Sequence, residues 1–261
     1  MNVPIGLLFR LCLTLIVTAG FLACSKEEED DPVMQIVSAA GNIQAAIDEY
    51  RNLLGPNNGG VAGSQGSGRR EINWDGVPDE FSAPNDYPFT FFNTAEGTRA
   101  RGAVFSSPGG KIQVSASKNN PTQTPLHFGQ INPQYTGIFP PFSGDKLFSP
   151  VESNVVDLRF YIPGTDQPAV VQGFGAVYVD VDEVENTAFE YYDINDKLLG
   201  TYKTETQNEG HVFLGVLFKE AIVHHVRITY GNTALGPDDG GNVDVAVMDD
   251  FVYGEPVLPR Y

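Results

Sequence analysis

Cysteine is nearly missing from this 261-residue chain, and its two copies, Cys12 and Cys24, both lie near the start. Residues 25–261 therefore hold no disulfide and no thiolate metal site. Basic residues are scarce too, with 16 Lys and Arg against 33 Asp and Glu and a net charge of −17. Nucleic acid and anionic headgroups both demand a cationic footprint, so neither is an expected partner of the folded part. An acidic surface instead keeps a protein dispersed outside cells and attracts divalent cations. Beyond residue 23 no apolar run approaches the about 20 residues that a spanning helix needs. His-Glu-x-x-His, Gly-x-Ser-x-Gly, the P-loop and the dinucleotide fingerprint are all absent, which removes several common enzyme classes. Of the four histidines, His127, His211, His224 and His225, the adjacent pair on one strand would face opposite ways and cannot share a ligand.

What is present begins with an address. Arg10, the apolar run Leu11–Val17 and the small residues after it have the layout of a secretory signal. Leu22-Ala23-Cys24 resembles the lipobox of bacterial lipoproteins, which implies cleavage after residue 23 and acylation of Cys24. Phe21 departs from the usual Leu or Val. Ser25-Lys26-Glu27-Glu28-Glu29-Asp30 resembles the acidic tag that exports some Gram-negative lipoproteins to the outer face of the outer membrane. Cleavage removes Arg10 and no acid, leaving 15 basic residues against 33 acidic ones, net −18. Residues 24–33 then form a charged tether between the lipid and the domain.

From Val33 to Leu54, apolar residues at Ile36, Val37, Ala40, Ile43, Ala46, Ile47, Tyr50 and Leu54 recur at helical spacing, so an amphipathic helix is expected over 34–54. Gly41-Asn42 is a place for it to break, and Gly55-Pro56 ends it. Residues 55–68, rich in Gly and Ser, read as a flexible linker. After Arg69 the texture is short β-rich runs punctuated by Gly, Pro, Asn and Asp. Val156, Leu158, Phe160 and Ile162 alternate with polar neighbours, as do Val177, Val179 and Val181. Asp193–Lys197 is a polar turn between two such runs and predicts a hairpin. Runs at Phe89–Phe92, Ile112–Ala116, Val212–Phe218, Ile222–Tyr230 and Val243–Tyr253 complete an all-β reading. The expected fold is an antiparallel β-sandwich of jelly-roll type over 69–261.

Three blocks, Gly68-Arg69-Arg70-Glu71-Ile72-Asn73-Trp74-Asp75-Gly76-Val77, Gly173-Phe174-Gly175-Ala176-Val177-Tyr178-Val179-Asp180-Val181 and Val247-Met248-Asp249-Asp250-Phe251-Val252-Tyr253-Gly254-Glu255-Pro256, resemble a family of secreted or anchored bacterial β-sandwich domains. The resemblance spans residues 34–256 and implies the fold without naming an activity. The closing Asp-Asp-Phe strand also looks like that of lectin-like and carbohydrate-binding jelly rolls.

The last strand raises a chemical question. If Val243, Val245 and Val247 face the core, strict alternation turns Asp249 and Phe251 inward as well. A buried carboxylate must be neutralised, ion-paired or metal-bound. The alternatives are an ion pair with Arg69 or Arg70, the amides of the Asn73–Gly76 turn, a structural Ca²⁺ shared by Asp75 and Asp249, or a β-bulge that turns Asp249 outward. Two further acidic groups, Asp180/Asp182/Glu183 and Asp238/Asp239/Asn242/Asp244, lack EF-hand spacing and read as solvated turns. Tyr135, Phe139 and Phe142 lie on a Pro- and Gly-rich stretch that either presents rigid rings to a ligand or folds back to cap the sandwich. Trp74, the single tryptophan, is expected in the core. The functional expectation is a cell-surface lipoprotein with a non-catalytic module that binds carbohydrate or protein. The alternatives are a glycosidase-like hydrolase with two carboxylates about 5 to 10 Å apart, and a passive assembly protein that docks through its helix.

Overall fold

Val156, Leu158 and Phe160 point into a core while Asp157 and Arg159 point away from it, and this alternation recurs through most of the chain. The computed structural model describes Met1 and residues 32–260, and the described chain from Pro32 onward forms one compact unit. The leader, Cys24 and the acidic tether up to Asp31 lie outside the described residues. Among those described, no helix is long and apolar enough to cross a membrane.

In chain order the elements are β1 (Val33–Ala40), α1 (Gln44–Leu54), β2 (Arg69–Ile72), β3 (Ala103–Ser106), β4 (Lys111–Val114), α2 (Tyr135–Ile138), β5 (Phe148–Val151) and β6 (Val155–Phe160). They continue with β7 (Gly173–Val181), β8 (Ala188–Tyr192), β9 (Leu198–Lys203), β10 (Gln207–Phe218), β11 (His225–Thr229) and β12 (Val247–Gly254). The larger sheet runs β1-β10-β7-β12-β5-β4, with β2 paired to β12, and the smaller runs β3-β6-β11-β8-β9. Every pairing between these strands is antiparallel, so the chain is an all-β sandwich. The Asp193–Lys197 turn joins β8 to β9 as a hairpin.

The main core fills the space between the sheets and is centred on Trp74. Its indole stacks on Phe148 at 4.0 Å and meets Phe251 edge-on at 5.1 Å. The buried indole N–H donates to Asp249 O at 2.8 Å, which satisfies the polar handle that a buried tryptophan carries.

Two expectations about the first third of the chain are corrected. The stretch expected as one helix over 34–54 splits at Gly41 (φ +76°): its first half is β1, paired to β10, and only Gln44–Leu54 is helical. Tertiary pairing with a distant strand decides the matter, because Ile36, Val37 and Ala40 suit either period. The stretch 55–68, expected as a flexible linker, is wrapped around the buried Arg70. That guanidinium donates to the carbonyls of Gly59, Val61, Gly63 and Ala100 and pairs with Glu255 at 2.6 Å. A buried Arg has five N–H donors to satisfy, and the Gly-rich backbone supplies acceptors without side chains in the way. The Phe89–Phe92 run is also not a strand, since Phe91–Asn93 forms a turn of 3₁₀-helix.

The larger sheet is covered on its outer side as well. Ile43, Ile47, Tyr50 and Leu54 of α1 pack on Val37, Val177, Phe213, Leu217 and Val252. Tyr50 donates to Val216 O at 2.9 Å, and its ring lies in a trough left by glycines. A Cβ on Gly215 would sit 2.8 Å from the ring, and one on Gly173 2.7 Å from the Tyr50 hydroxyl. This accounts for the glycines of the Gly173-Phe174-Gly175 block. Beside it, Phe128, Tyr135, Phe139 and Leu147 pack on Val179, Val245 and Val247. As a result β7 and β12 are buried along their whole length.

Candidate functional site

Three groups of side chains bear on function: the residues expected from sequence, an acidic cluster at one end of the sandwich, and the outer face of the smaller sheet.

The expected ring platform is not displayed. Tyr135 and Phe139 are fully buried and stack on each other at 4.4 Å, while the Tyr135 hydroxyl donates to Gly236 O at 2.5 Å. Burial and the charges of Asp239, Asp180 and Asp238 push its phenol up. Phe142 is half-buried and packs edge-on against His211. Of the two expected roles for this stretch, the capping role is the one the packing shows, because large rings are worth more enclosed than solvated.

Asp249 is buried, as alternation required, but on the outer side of the larger sheet. The register of β12 against β7 shifts between Met248 and Phe251. Met248, Phe251 and Tyr253 then all reach the main core, and Asp249 and Asp250 face the 139–145 loop. Asp249 accepts from the amides of Phe142 at 2.6 Å and Ser143 at 3.1 Å, and Asp250 accepts from the Ser143 hydroxyl at 2.7 Å. Arg51 of α1 stands 3.5 Å from Asp250. Asp75 accepts from Asp145 N at 2.7 Å. Asp75 and Asp249 thus each accept backbone amides of the 142–145 stretch, and neither belongs to the group of carboxylates that lie within 4.8 Å of one another among the described residues. Desolvation, then mutual repulsion, pushes the Asp249 carboxyl well up, and desolvation also raises Asp250. Arg69 and Arg70 are likewise not partners of Asp249, since Arg69 pairs with Glu71 at 2.6 Å and Arg70 with Glu255.

The acidic cluster joins two groups that the sequence suggested were separate solvated turns. Carboxylate oxygens of Asp180, Asp182 and Asp239 lie within 4.8 Å of one another, and Asp244 borders them. Asp180 sits in β7 with φ +64° and accepts from Glu209 N at 2.6 Å. Asp244, fully buried, accepts from the amides of Asp182 at 3.2 Å and Glu183 at 3.3 Å. Burial and then the neighbouring carboxylates push Asp180 up to about 8 and Asp244 up to about 6, and burial raises Asp239. Among the described residues these are the side chains with the oxygen chemistry that suits a hard cation, which takes about six to eight oxygen ligands.

The smaller sheet has no covering layer among the described residues. Along β6, β8 and β11 the outward side chains Asp157, Arg159, Glu190, Tyr192 and Arg227 are partly exposed, while His225 among them is buried under its neighbours. Register aligns them in two rows across the strands. One is Val104, Arg159, His225, Tyr192 and Leu198, and the other is Ser106, Asp157, Arg227, Glu190 and Thr201. Arg227 grips Asp157 through two bonds, at 2.8 and 3.1 Å, and His225 Nε2 lies 2.8 Å from the same carboxylate. Burial opposes ionisation of Asp157, but the hydrogen bonds from His225 and Arg227 outweigh it and hold the carboxyl far below its usual range. Tyr192 stacks on the His225 ring at 4.8 Å, and its hydroxyl donates to Glu190 at 3.1 Å. Arg159 reaches Asp196 of the β8–β9 turn at 3.1 Å. Sequence reading missed this face because strand pairing, not local spacing, sets these neighbours side by side. The signal that was available was the polar half of the alternating runs.

Among comparisons with known proteins, no family model matches the chain, and no curated protein or solved structure matches it either.

Proposed function

We propose that this chain is a lipid-anchored, cell-surface protein whose β-sandwich is a non-catalytic binding module, and that its ligand-binding surface is the outer face of the smaller sheet. The observation that carries the choice of surface is the asymmetry of the two sheets. The outer side of the larger one is occupied by α1 and the 128–147 region, whereas the smaller one presents Arg159, Arg227, Asp157, Tyr192 and Glu190 to solvent. The ligand class is carbohydrate. A half-exposed tyrosine packs against the apolar side of a sugar ring, and a two-point Arg–carboxylate pair offers adjacent donors and acceptors that vicinal hydroxyls can bridge. In a chain of net charge −17, a face that mixes Arg159, Arg227 and Lys203 with Asp157 and Glu190 suits neutral or weakly acidic glycans. The leader and Cys24 supply the location in this reading, through their lipobox-like sequence and the acidic run that follows.

A hydrolase is less well supported. A cleft of about 630 Å³ between residues 66–68, the 219–222 turn and the C-terminal segment has Glu220 and Glu255 as its carboxylates. Glu255 is committed to Arg70, Asn58 and Gln65 N.

The test is a glycan array probed with the protein and with Tyr192→Ala and Arg227→Ala. Binding that is lost in both variants and kept in Leu258→Ala, an exposed position in that cleft, supports the reading. Binding unaffected by either substitution rules out this face.

A further inference from the structure

An exposed sheet edge offers a row of backbone N–H and C=O groups to any strand that approaches, and proteins normally blunt such edges with short strands, lysine, proline or bulges. Among the described residues, most outer strands of this sandwich follow that rule. The outer strands β3 and β4 have four residues each, and β4 carries Lys111. β9 has six residues with Lys203, and its pairing is interrupted by a register shift. β2, paired only with β12, has four residues of which three are charged. β1 is different. It is eight residues long, Val-Met-Gln-Ile-Val-Ser-Ala-Ala, with no charge and no proline, and its one irregularity lies at the Val33/Gln35 end. Met34 and Ile36 are 58% and 50% exposed, two of only seven exposed large hydrophobics among the described residues.

We propose that β1 is a self-association edge through which two copies of this chain pair, strand against strand, to continue the larger sheet across a two-fold axis. Antiparallel pairing about a two-fold is self-complementary: the same edge serves both copies. Centred on Ile36, it sets the two Ile36 side chains opposite each other, Gln35 across from Val37 and Met34 across from Ser38. Two copies of net charge −17 repel each other, and although β1 itself carries no charge, Glu49 and Glu205, which accept from Gln35 and Ser38 at 2.7 Å, add to that repulsion at the edge. Self-association through it is therefore strengthened by salt, which screens the repulsion. The β1 position in sequence, directly after the expected tether, would hold the edges of neighbouring anchored copies at one height above a membrane.

Cysteine chemistry offers a direct test, because Cys12 and Cys24 are the chain's only thiols. In the full-length chain in detergent, with both replaced by serine, Ile36→Cys supplies one thiol at the proposed axis and Val184→Cys one at another exposed site, 65% accessible. Mild oxidation should convert Ile36→Cys to a covalent dimer at least about tenfold faster than Val184→Cys, since directly opposed strand residues bring their Cβ atoms to about 5 Å. Light scattering of the cysteine-free chain should show a dimer whose population rises with salt, and Ile36→Lys, which places like charges opposite each other, should weaken it roughly tenfold or more. Should Ile36→Lys lower the melting temperature, Met34→Lys decides in its place. Equal oxidation rates at positions 36 and 184, a monomer at all salt concentrations, or a dimer indifferent to lysine at β1 would each overturn the proposal.

Discussion

Asp180 is a carboxyl held where the fold resists charge, and it links stability to pH in a direction opposite to that of ordinary ion-paired carboxylates. It is about 1% exposed and meets Asp182 and Asp239 within 4.8 Å, and burial plus these neighbours push it up to about 8. An unfolded aspartate titrates near its ordinary value of about 3.9. Between these two values the folded state binds more protons than the unfolded state, so stability is complete at the acid end and is lost as pH rises toward 8. One proton contributes at most about 1.4 kcal/mol per pH unit, and water on the open side of the cluster reduces that to roughly half. The neutral isostere Asp180→Asn keeps an oxygen for Glu209 N, which Asp180 accepts at 2.6 Å, and it suits the positive φ of this position, where Asn is favoured. Urea unfolding from pH 5 to 8 in EDTA should show that the wild type loses stability with pH while Asp180→Asn loses less, by roughly 0.7 kcal/mol per unit. Equal slopes in the two proteins would refute the argument, because they would mean that Asp180 is solvated as the sequence suggested.

Other consequences follow from the same packing. Arg70→Met should destabilise the domain by about 3 to 5 kcal/mol, because Glu255 is left buried without its partner, and limited proteolysis should then cut within residues 57–66, whose carbonyls lose their donor. Gly215→Ala should cost about 1 to 3 kcal/mol by forcing Tyr50 from its trough, whereas Tyr50→Phe should cost about 1 kcal/mol through the lost bond to Val216 O; both are read in urea melts. Phe139→Ala should lower stability by about 3 to 5 kcal/mol as a core truncation while leaving glycan affinity of the remaining folded protein unchanged, as titration calorimetry would report.

Much of the fold is written locally and some of it is not. The alternation at Val156–Phe160 and the Asp193–Lys197 turn predicted β6 and the β8–β9 hairpin, because one-sided burial and turn chemistry are properties of short segments. Gly41-Asn42 marked a true break, but what precedes it is a strand, since pairing with β10 outweighs a spacing that suits a helix equally well. The Gly-rich 55–68 stretch looked flexible by composition, and nothing nearby in sequence reveals that Arg70 needs its carbonyls. Strict alternation failed in β12 because a bulge at Asp249-Asp250 resets the phase, which leaves both acids facing a loop and Met248 facing the core. The two acidic groups looked like independent turns, and only the approach of β7 to the 231–246 segment makes them one cluster. Tyr135 and Phe139 were legible as a pair of large rings in a stiff loop, while whether they met solvent or Val179 and Val247 depended on the larger sheet having a free outer side to cover.

The claim on which the functional account depends is that ligands meet the smaller sheet from outside. Side-chain and amide NMR shifts, followed while a glycan that binds on the array is titrated into the protein, test it most directly. The account predicts that shifts concentrate at Tyr192, Arg227, Arg159 and Glu190 and that residues 128–147 stay still. Shifts confined to residues 128–147, or to the cleft around Leu258, would contradict it.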